Sequence, residues 1–373
     1  MIINNLYCSM IHGGLNLDFK TDHARAQNCC LRSDFFAVDI TKNFWNDPGF
    51  VPLRQLNQQH QWSPGCSNCK KLEHSGLDSF RTGANRGLNV YSQTDLSGPA
   101  RIDLMFDISC NLACRICGTQ SSTLWQKHLK QHGEWTQAIT VPTDKQRVIQ
   151  ALSQLDLSNL RMLVFCGGET LLGRAYWDIA EWLAEHVPDA KTQLTLCFQT
   201  NGTQPIHVRD YETIEKFHLV KLHVSLDGIQ DKFEYQRWPA EWNQVVDNLS
   251  NLRQNLPGNV MFLVEETVSI FNLFYLDELK TWTQQNFSSN REGDVINHTR
   301  HMAQGKFDTV YCTQEYMEAM QDSPYRHLIA ANWHEQPEKI RTIMADIQLF
   351  DSRRDQDFQK TFPEVAEFYR RYL

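Results

Sequence analysis

Three cysteines on one short loop carry the strongest chemical signal in this chain. They read Cys110-Asn111-Leu112-Ala113-Cys114-Arg115-Ile116-Cys117, a Cys-x3-Cys-x2-Cys spacing that directly follows an apolar, strand-like run from Ile102 to Ile108. Thiolates this close along a chain can converge on a single iron–sulfur cube. Three protein ligands leave one iron of a four-iron cluster open, and an open metal position is where a small molecule binds and is activated. Structural zinc is the alternative use of clustered cysteines. Zinc favours four ligands in two pairs, and no His follows the loop at finger spacing.

Such a loop does chemistry only where a scaffold holds it. From residue 101 to about 285, short apolar runs alternate with amphipathic stretches. The pattern predicts strands over 102–108, 161–165, 193–199, 219–225 and 259–268, and helices over 122–132, 144–155, 174–186, 208–216, 241–254 and 274–285. Ser121 and Ser122 suit the cap of the first helix and Asp144 the cap of the second. Trp177, Ile179, Ala180, Trp182 and Leu183 give the third an apolar stripe. Alternating β and α units require a parallel sheet with right-handed crossovers. Roughly 200 residues is short for a closed eight-stranded barrel of about 250, so a partial (β/α)6 barrel of the α/β class is expected. Chemistry in such sheets gathers at the C-terminal ends of the strands, and Cys110 follows the first of them.

Three more strand ends carry polar or glycine-rich turns. The second ends in Cys166-Gly167-Gly168-Glu169, where two glycines let backbone approach a ligand and the carboxylate can accept from an ammonium group. The third ends in Gln199-Thr200-Asn201-Gly202, and the fourth in Ser225-Leu226-Asp227-Gly228, whose Ser and Asp point the same way on an extended strand. Arg237 lies beyond the fourth, with a guanidinium suited to a carboxylate.

Composition narrows the rest. The chain has 373 residues, 21% of them charged, and a net charge of −8. No Lys/Arg run suggests a nucleic-acid groove, and the acidic balance argues against one. No apolar stretch reaches the ~18 residues of a membrane span. MIINNLYCSM lacks a basic n-region and an apolar h-region, so a cytoplasmic protein without a membrane partner is expected. Eleven cysteines in a reducing compartment suggest metal rather than disulfides. Eight of them lie within the first 117 residues, which places the metal chemistry at the front.

Taken in order, the cysteine loop, the Gly-Gly-Glu turn, Thr200-Asn201-Gly202, Ser225 and Arg237 resemble the motifs of the radical S-adenosylmethionine (SAM) superfamily. The resemblance implies a [4Fe-4S] cluster on Cys110, Cys114 and Cys117 whose open iron holds SAM. It implies SAM contacts from Gly167, Gly168, Glu169, Thr200, Asn201, Ser225, Asp227, Arg237 and Asn272, with the methionine amine at Glu169 and the carboxylate at Ser225 and Arg237. One departure is Ile116, where many members carry an aromatic residue.

The front of the chain, residues 1–98, lacks the alternation and is rich in Asn, Gly, Pro and Cys. A small loop-rich region of this kind needs a metal to hold it. Cys8, the pair Cys29-Cys30, Trp45 to Pro48 and Cys66-Ser67-Asn68-Cys69 resemble SPASM/twitch domains, although those usually follow the barrel. This implies an auxiliary [4Fe-4S] cluster, with structural Zn as the alternative use of the same thiols and Cys30 the favoured ligand of its pair. The expected division is therefore 1–98 for auxiliary-cluster binding, 99–290 for the barrel and 291–373 for a mainly helical tail, whose Phe350 to Arg354 and Thr361 to Glu364 also resemble the twitch subgroup. Cys166 and Cys197 read as core thiols, and Cys312 is a candidate hydrogen donor because some radical SAM epimerases use a tail cysteine. His298 and His301, three apart, could share a helix face, but surface histidines are the favoured reading.

The resemblance implies a peptide-modifying enzyme that cross-links, epimerises or excises from a ribosomally made precursor peptide. A separate peptide-presenting protein and an external flavodoxin- or ferredoxin-type electron donor would be its partners. A radical SAM dehydrogenase acting on a small molecule and an iron–sulfur electron-transfer module without turnover are the alternatives.

Overall fold

A computed structural model describes residues 6–19, 23–32, 34–74, 78–88, 96–287, 297–303, 305–329 and 333–373. Among them, nine strands form one sheet: β1 (Gly14–Asp18), β2 (Arg25–Gln27), β3 (Phe36–Ala37), β4 (Arg101–Asp107), β5 (Met162–Gly167), β6 (Thr195–Thr200), β7 (Leu219–Ser225), β8 (Val260–Val268) and β9 (Asn297–Met302). Their spatial order is β3-β2-β1-β4-β5-β6-β7-β8-β9. Strands β4 to β9 run parallel, each paired with the next. Helices Thr123–Gln131 and Lys145–Ser153 separate β4 from β5, Arg174–His186 separates β5 from β6, Trp242–Asn255 separates β7 from β8, and Leu276–Phe287 follows β8. This is the expected α/β partial barrel. Ser122 rather than Ser121 caps the first helix, accepting from Trp125 N at 3.2 Å, and Asp144 caps the second, accepting from Gln146 N at 3.0 Å.

Alternation along the strands divides the sheet into two unlike faces. Ile102, Leu104 and Phe106 of β4, Leu163 and Phe165 of β5, Leu196 and Phe198 of β6, and Val220, Leu222 and Val224 of β7 belong to the core that the helices cover. Trp177, from the predicted helical stripe, stacks on Phe198 at 4.8 Å. The intervening positions hold Asp103, Met105, Val164, Cys166, Cys197, Gln199, Lys221, His223 and Ser225, so the opposite face is mixed and turns polar toward β7.

The sheet runs across the divisions drawn from composition. β1 pairs in parallel with β4, with Leu15 opposite Ile102 and Leu17 opposite Leu104, and both leucines enter the same core. A five-residue strand with only two apolar side chains is too short for periodicity to reveal. The sixth parallel strand of the barrel, β9, falls after residue 290, and the 290/291 boundary itself lies outside the described residues. His298 and His301 stand on this strand rather than on a helix, and their side chains lie outside the described residues.

The tail packs on the end of β8. Ile340, Ile343, Met344 and Ile347 of helix Pro337–Arg354 join Phe358, Phe362, Val365 and Tyr369 in a second apolar cluster with Val268, Ile270 and Phe271. Among the described residues, no helix is long and apolar enough to cross a membrane. Phe198 is fully buried between Trp177 and Phe165. Phe198→Ala is expected to lower folding stability by about 3–5 kcal/mol. An unchanged urea midpoint would show that the helix layer does not rest on this contact.

Candidate active site

The cysteine loop is fixed by backbone on both sides. Ala113 N donates to Trp238 O and Arg115 N to Gln236 O, each at 2.7 Å, so the loop pairs with the segment that carries Arg237. Ser122 Oγ donates to Leu112 O at 2.6 Å, and Trp125 Nε1 to Cys114 O at 2.8 Å. Burial pushes the Cys110 thiol up to about 12 and raises Cys114 and Cys117 as well. Thiols held this high stay protonated at neutral pH and ionise when a metal takes the proton's place. Arg237 Nη1 stands 4.0 Å from Cys114 Sγ and pulls in the ionising direction.

The Gly-Gly-Glu turn packs directly against this loop. Gly167 has φ +129°, and a Cβ there would meet Asp107 O at 2.1 Å. A Cβ on Gly168 would meet Ser109 O at 2.1 Å. No side chain fits either position while the turn keeps its place. Glu169 is buried, and its carboxylate accepts from Leu171 N at 3.0 Å and Asn201 N at 2.6 Å. Burial still raises its pKa, against the pull of these N–H groups. Asn201 Nδ2 donates to Asn111 Oδ1 at 3.1 Å and lies 3.9 Å from Cys110 Sγ. Thr200 Oγ1 accepts from Gly202 N at 3.1 Å. The ends of β4, β5 and β6 thus form one connected polar network.

The end of β7 supplies the charges. Asp227 and Arg237 are both buried and pair at 2.7 Å. Burial raises the Asp227 pKa, and Arg237 opposes this; burial works against the charge on Arg237, but Asp227 and Cys114 outweigh it. Asp227 Oδ1 also accepts from Thr267 N at 2.8 Å, so its carboxylate is spent on protein. Asn272 is likewise committed, donating to Asp227 O and Thr267 O at 3.0 Å and accepting from Ser269 N at 2.8 Å. Both act as braces for Arg237, whose Nε is buried without a hydrogen-bond acceptor and leaves one edge of the guanidinium for a second carboxylate. Ser225 lies half-buried at the mouth, opposite Glu265 on β8. Ile116 contacts both large apolar clusters.

The front cysteines form a separate constellation. Cys8, Cys29, Cys66 and Cys69 line one pocket with Arg32, Trp62 and Arg81. Cys30 is exposed and does not line it, so the position in the adjacent pair that faces the other thiols is Cys29, not the favoured Cys30. The chain turns there, and only one of two neighbouring side chains can point inward. Burial pushes Cys8 up to about 11, and a hydrogen bond with Cys30, followed by burial, raises Cys29. Arg32 Nη1 lies 3.9 Å from Cys66 Sγ, and Ser63 Oγ 3.5 Å from the same sulfur. Among the described residues, no three His, Cys, Asp or Glu side chains close on a single ion. One zinc ion draws all its ligands to about 2.3 Å, whereas a cube spreads its thiolates over different irons.

Cys312 is fully buried in the tail cluster, beside Tyr316 and Tyr369, and Cys197 is a buried strand thiol. Two features escaped the sequence reading. His223 Nδ1 and Glu265 Oε1 meet at 2.6 Å on the polar face of β7 and β8, with His223 Nε2 buried and lacking a hydrogen-bond partner. The alternation Lys221, His223, Ser225 was the available signal. Arg115 pairs with Asp351 of the tail and lies 4.0 Å over the Tyr235 ring, a contact across 236 residues that no local pattern announces.

A parallel partial barrel with three thiols and a Gly-Gly-Glu turn at its C-terminal mouth defines a class of cluster-bearing domain. Residues 108–269 match the model of the radical SAM superfamily. No curated protein matches the chain. Among solved structures, SuiB of Streptococcus suis bound to the precursor peptide SuiA is similar at 11% identity, over 96% of this chain and 75% of that one, with a TM-score of 0.38. SuiB bound to S-adenosylmethionine is similar at 12% identity, over 94% of this chain and 74% of that one, also with a TM-score of 0.38.

Glu169→Gln keeps the shape but turns an amide donor toward the N–H of Leu171 or Asn201. Leaving a buried donor unmatched should cost about 1–3 kcal/mol. A thermal melt of the metal-free protein that matches wild type would refute this placement of the carboxylate.

Proposed function

We propose that the chain is a radical SAM enzyme acting on a ribosomally made peptide. The observation that carries the enzyme reading is the meeting of the Cys110, Cys114 and Cys117 loop, the Gly-Gly-Glu turn and the buried Arg237 guanidinium at one mouth. Cys110, Cys114 and Cys117 would hold a [4Fe-4S] cluster, and Glu169, Asn201, Ser225 and Arg237 would surround SAM. When bound, the pair supplies reductive cleavage of the sulfonium to a 5′-deoxyadenosyl radical that abstracts hydrogen. Arg237, braced by Asp227, would hold the SAM carboxylate. The glycines let the Gly-Gly-Glu backbone lie against the cysteine loop, and Ile116 gives an aliphatic contact where other members have a ring. The polar face below, with His223 and Glu265, faces the substrate.

The peptide reading draws support from the front cysteines, whose order resembles SPASM/twitch sequences. Cys8, Cys29, Cys66 and Cys69 would hold an auxiliary cluster. A flavodoxin- or ferredoxin-type donor would supply electrons, and a separate protein would present the peptide.

Anaerobically reconstituted protein given SAM and dithionite should release 5′-deoxyadenosine, and the Cys110/Cys114/Cys117→Ala variant should not. Equal release from both would sink the enzyme reading. The same triple variant should retain about four irons per chain if the front set binds a cube. In that background Cys29→Ala should strip the remaining iron and Cys30→Ala should not; the reverse result would reassign the ligand. A mass change in a precursor peptide encoded beside the gene would test the substrate class, and an unmodified peptide would favour small molecules.

A further inference from the structure

We infer that Arg354 is the charge partner of the cysteine loop, a buried guanidinium whose positive charge raises the reduction potential of the cluster held there. The inference rests on the cluster reading above. Arg354 ends helix Pro337–Arg354 and is 6% exposed, yet Nε, Nη1 and Nη2 all lack a hydrogen-bond acceptor. Its guanidinium sits among three rings, 4.6 Å from the centroid of Trp125, 4.8 Å from Trp238 and 5.1 Å from Phe350. Aromatic faces attract a cation but do not neutralise it.

The carboxylate within reach is already committed. Asp351 pairs with Arg115, accepts from Tyr235 Oη at 2.8 Å and accepts from Phe358 N at 2.8 Å. Asp227 pairs with Arg237. Arg115 and Arg237 therefore each have an acid partner beside the loop, and Arg354 has none. The neighbouring His128 adds none at neutral pH, because burial and then Arg354 push it down to about 4. Burial lowers Arg354 itself only to about 9, so it stays charged at neutral pH.

An unmatched buried cation is expensive. What it faces is the cysteine loop. Cys114 acts on Arg354 electrostatically, and both cage tryptophans bond the loop backbone: the Trp125 indole Nε1 donates to Cys114 O at 2.8 Å, and the Trp238 main-chain O accepts from Ala113 N at 2.7 Å. A four-iron cluster on three thiolates carries net negative charge that grows by one on reduction. A fixed cation beside it stabilises the reduced form more than the oxidised one, and net charge and burial are established levers on such potentials.

Wild type, Arg354→Gln and Arg354→Lys, each anaerobically reconstituted, are poised with dithionite and redox mediators. The measurement follows the electron paramagnetic resonance signal that added SAM perturbs. Arg354→Gln is expected to lower the reduced-to-oxidised ratio at fixed potential about tenfold, which is about 59 mV for a one-electron couple, and Arg354→Lys should restore most of it. An unchanged midpoint in Arg354→Gln, or a drop that Lys fails to reverse, overturns the inference. If the Gln protein folds by circular dichroism but loses its iron, retention by the Lys protein supports a charge role, and loss from both overturns it. Wild type without any four-iron signal would instead sink the cluster reading, a failure visible before any variant is compared.

Discussion

The buried pair between Asp227 and Arg237 is the joint on which the rest of the mouth depends. Asp227 leaves β7, takes the Thr267 N–H of β8 on one oxygen and grips Arg237 with the other. Asn272 bridges the same two strand ends through Asp227 O and Thr267 O. The residues on either side of Arg237 then give their carbonyls to Ala113 and Arg115, so the cysteine loop is set by the segment that the ion pair anchors. Removing one member of a buried pair typically costs about 3–5 kcal/mol, because the other is left charged and dry. Here that cost would fall on the strand ends and the metal loop together.

The sheet separates stability from chemistry by alternation. One face spends its side chains on the helix layer, with rings such as Phe165, Phe198 and Trp177 in mutual contact. The other carries Arg101 with Asp103 at 2.8 Å and His223 with Glu265 at 2.6 Å. In register, Ser225 lies opposite Glu265 and His223 opposite Gln199 and Leu263, so the His–Glu contact sits one layer below the mouth. A face filled for stability alone would hold branched aliphatic residues. Polar pairs in that position set a shape and a hydrogen-bonding pattern at some cost in packing.

Much of this was legible in the sequence. Five parallel strands and their helices announced themselves through apolar runs long enough to show a period, and the loop residues at four strand ends share one mouth. The rest depended on distance. β1 is five residues long and pairs with a strand more than 80 positions away, so neither length nor period could expose it. Asp227 and Asn272 have the residue types of ligand contacts, but Asp227 is taken by Arg237 and Thr267 N and Asn272 by backbone, and only coordinates show where an amide or carboxylate points. Cys29 and Cys30 are chemically identical neighbours; the direction of the chain decides which faces Cys8, Cys66 and Cys69. Arg354 was readable as a letter in Phe350 to Arg354, while its lack of an acid partner is a property of packing.

The two cysteine sets differ in how their arginines are matched. At the front, Arg32 pairs with Asp34 and Arg81 with Glu73, so each guanidinium near those thiols brings its own anion. At the barrel mouth, Arg115 and Arg237 are matched in the same way, and Arg354 is not. Matched pairs contribute dipoles whose fields cancel over short distances, whereas an unmatched buried charge acts at its full value through a low-dielectric interior. Arg32 and Arg81 near the front thiols are thus both paired, and Arg354 beside the barrel loop is not. Burial raises the pKa of Cys110, Cys114 and Cys117, so a metal that binds these thiols displaces protons. The barrel set lies where parallel strand ends and a glycine turn pack directly against the cysteine loop.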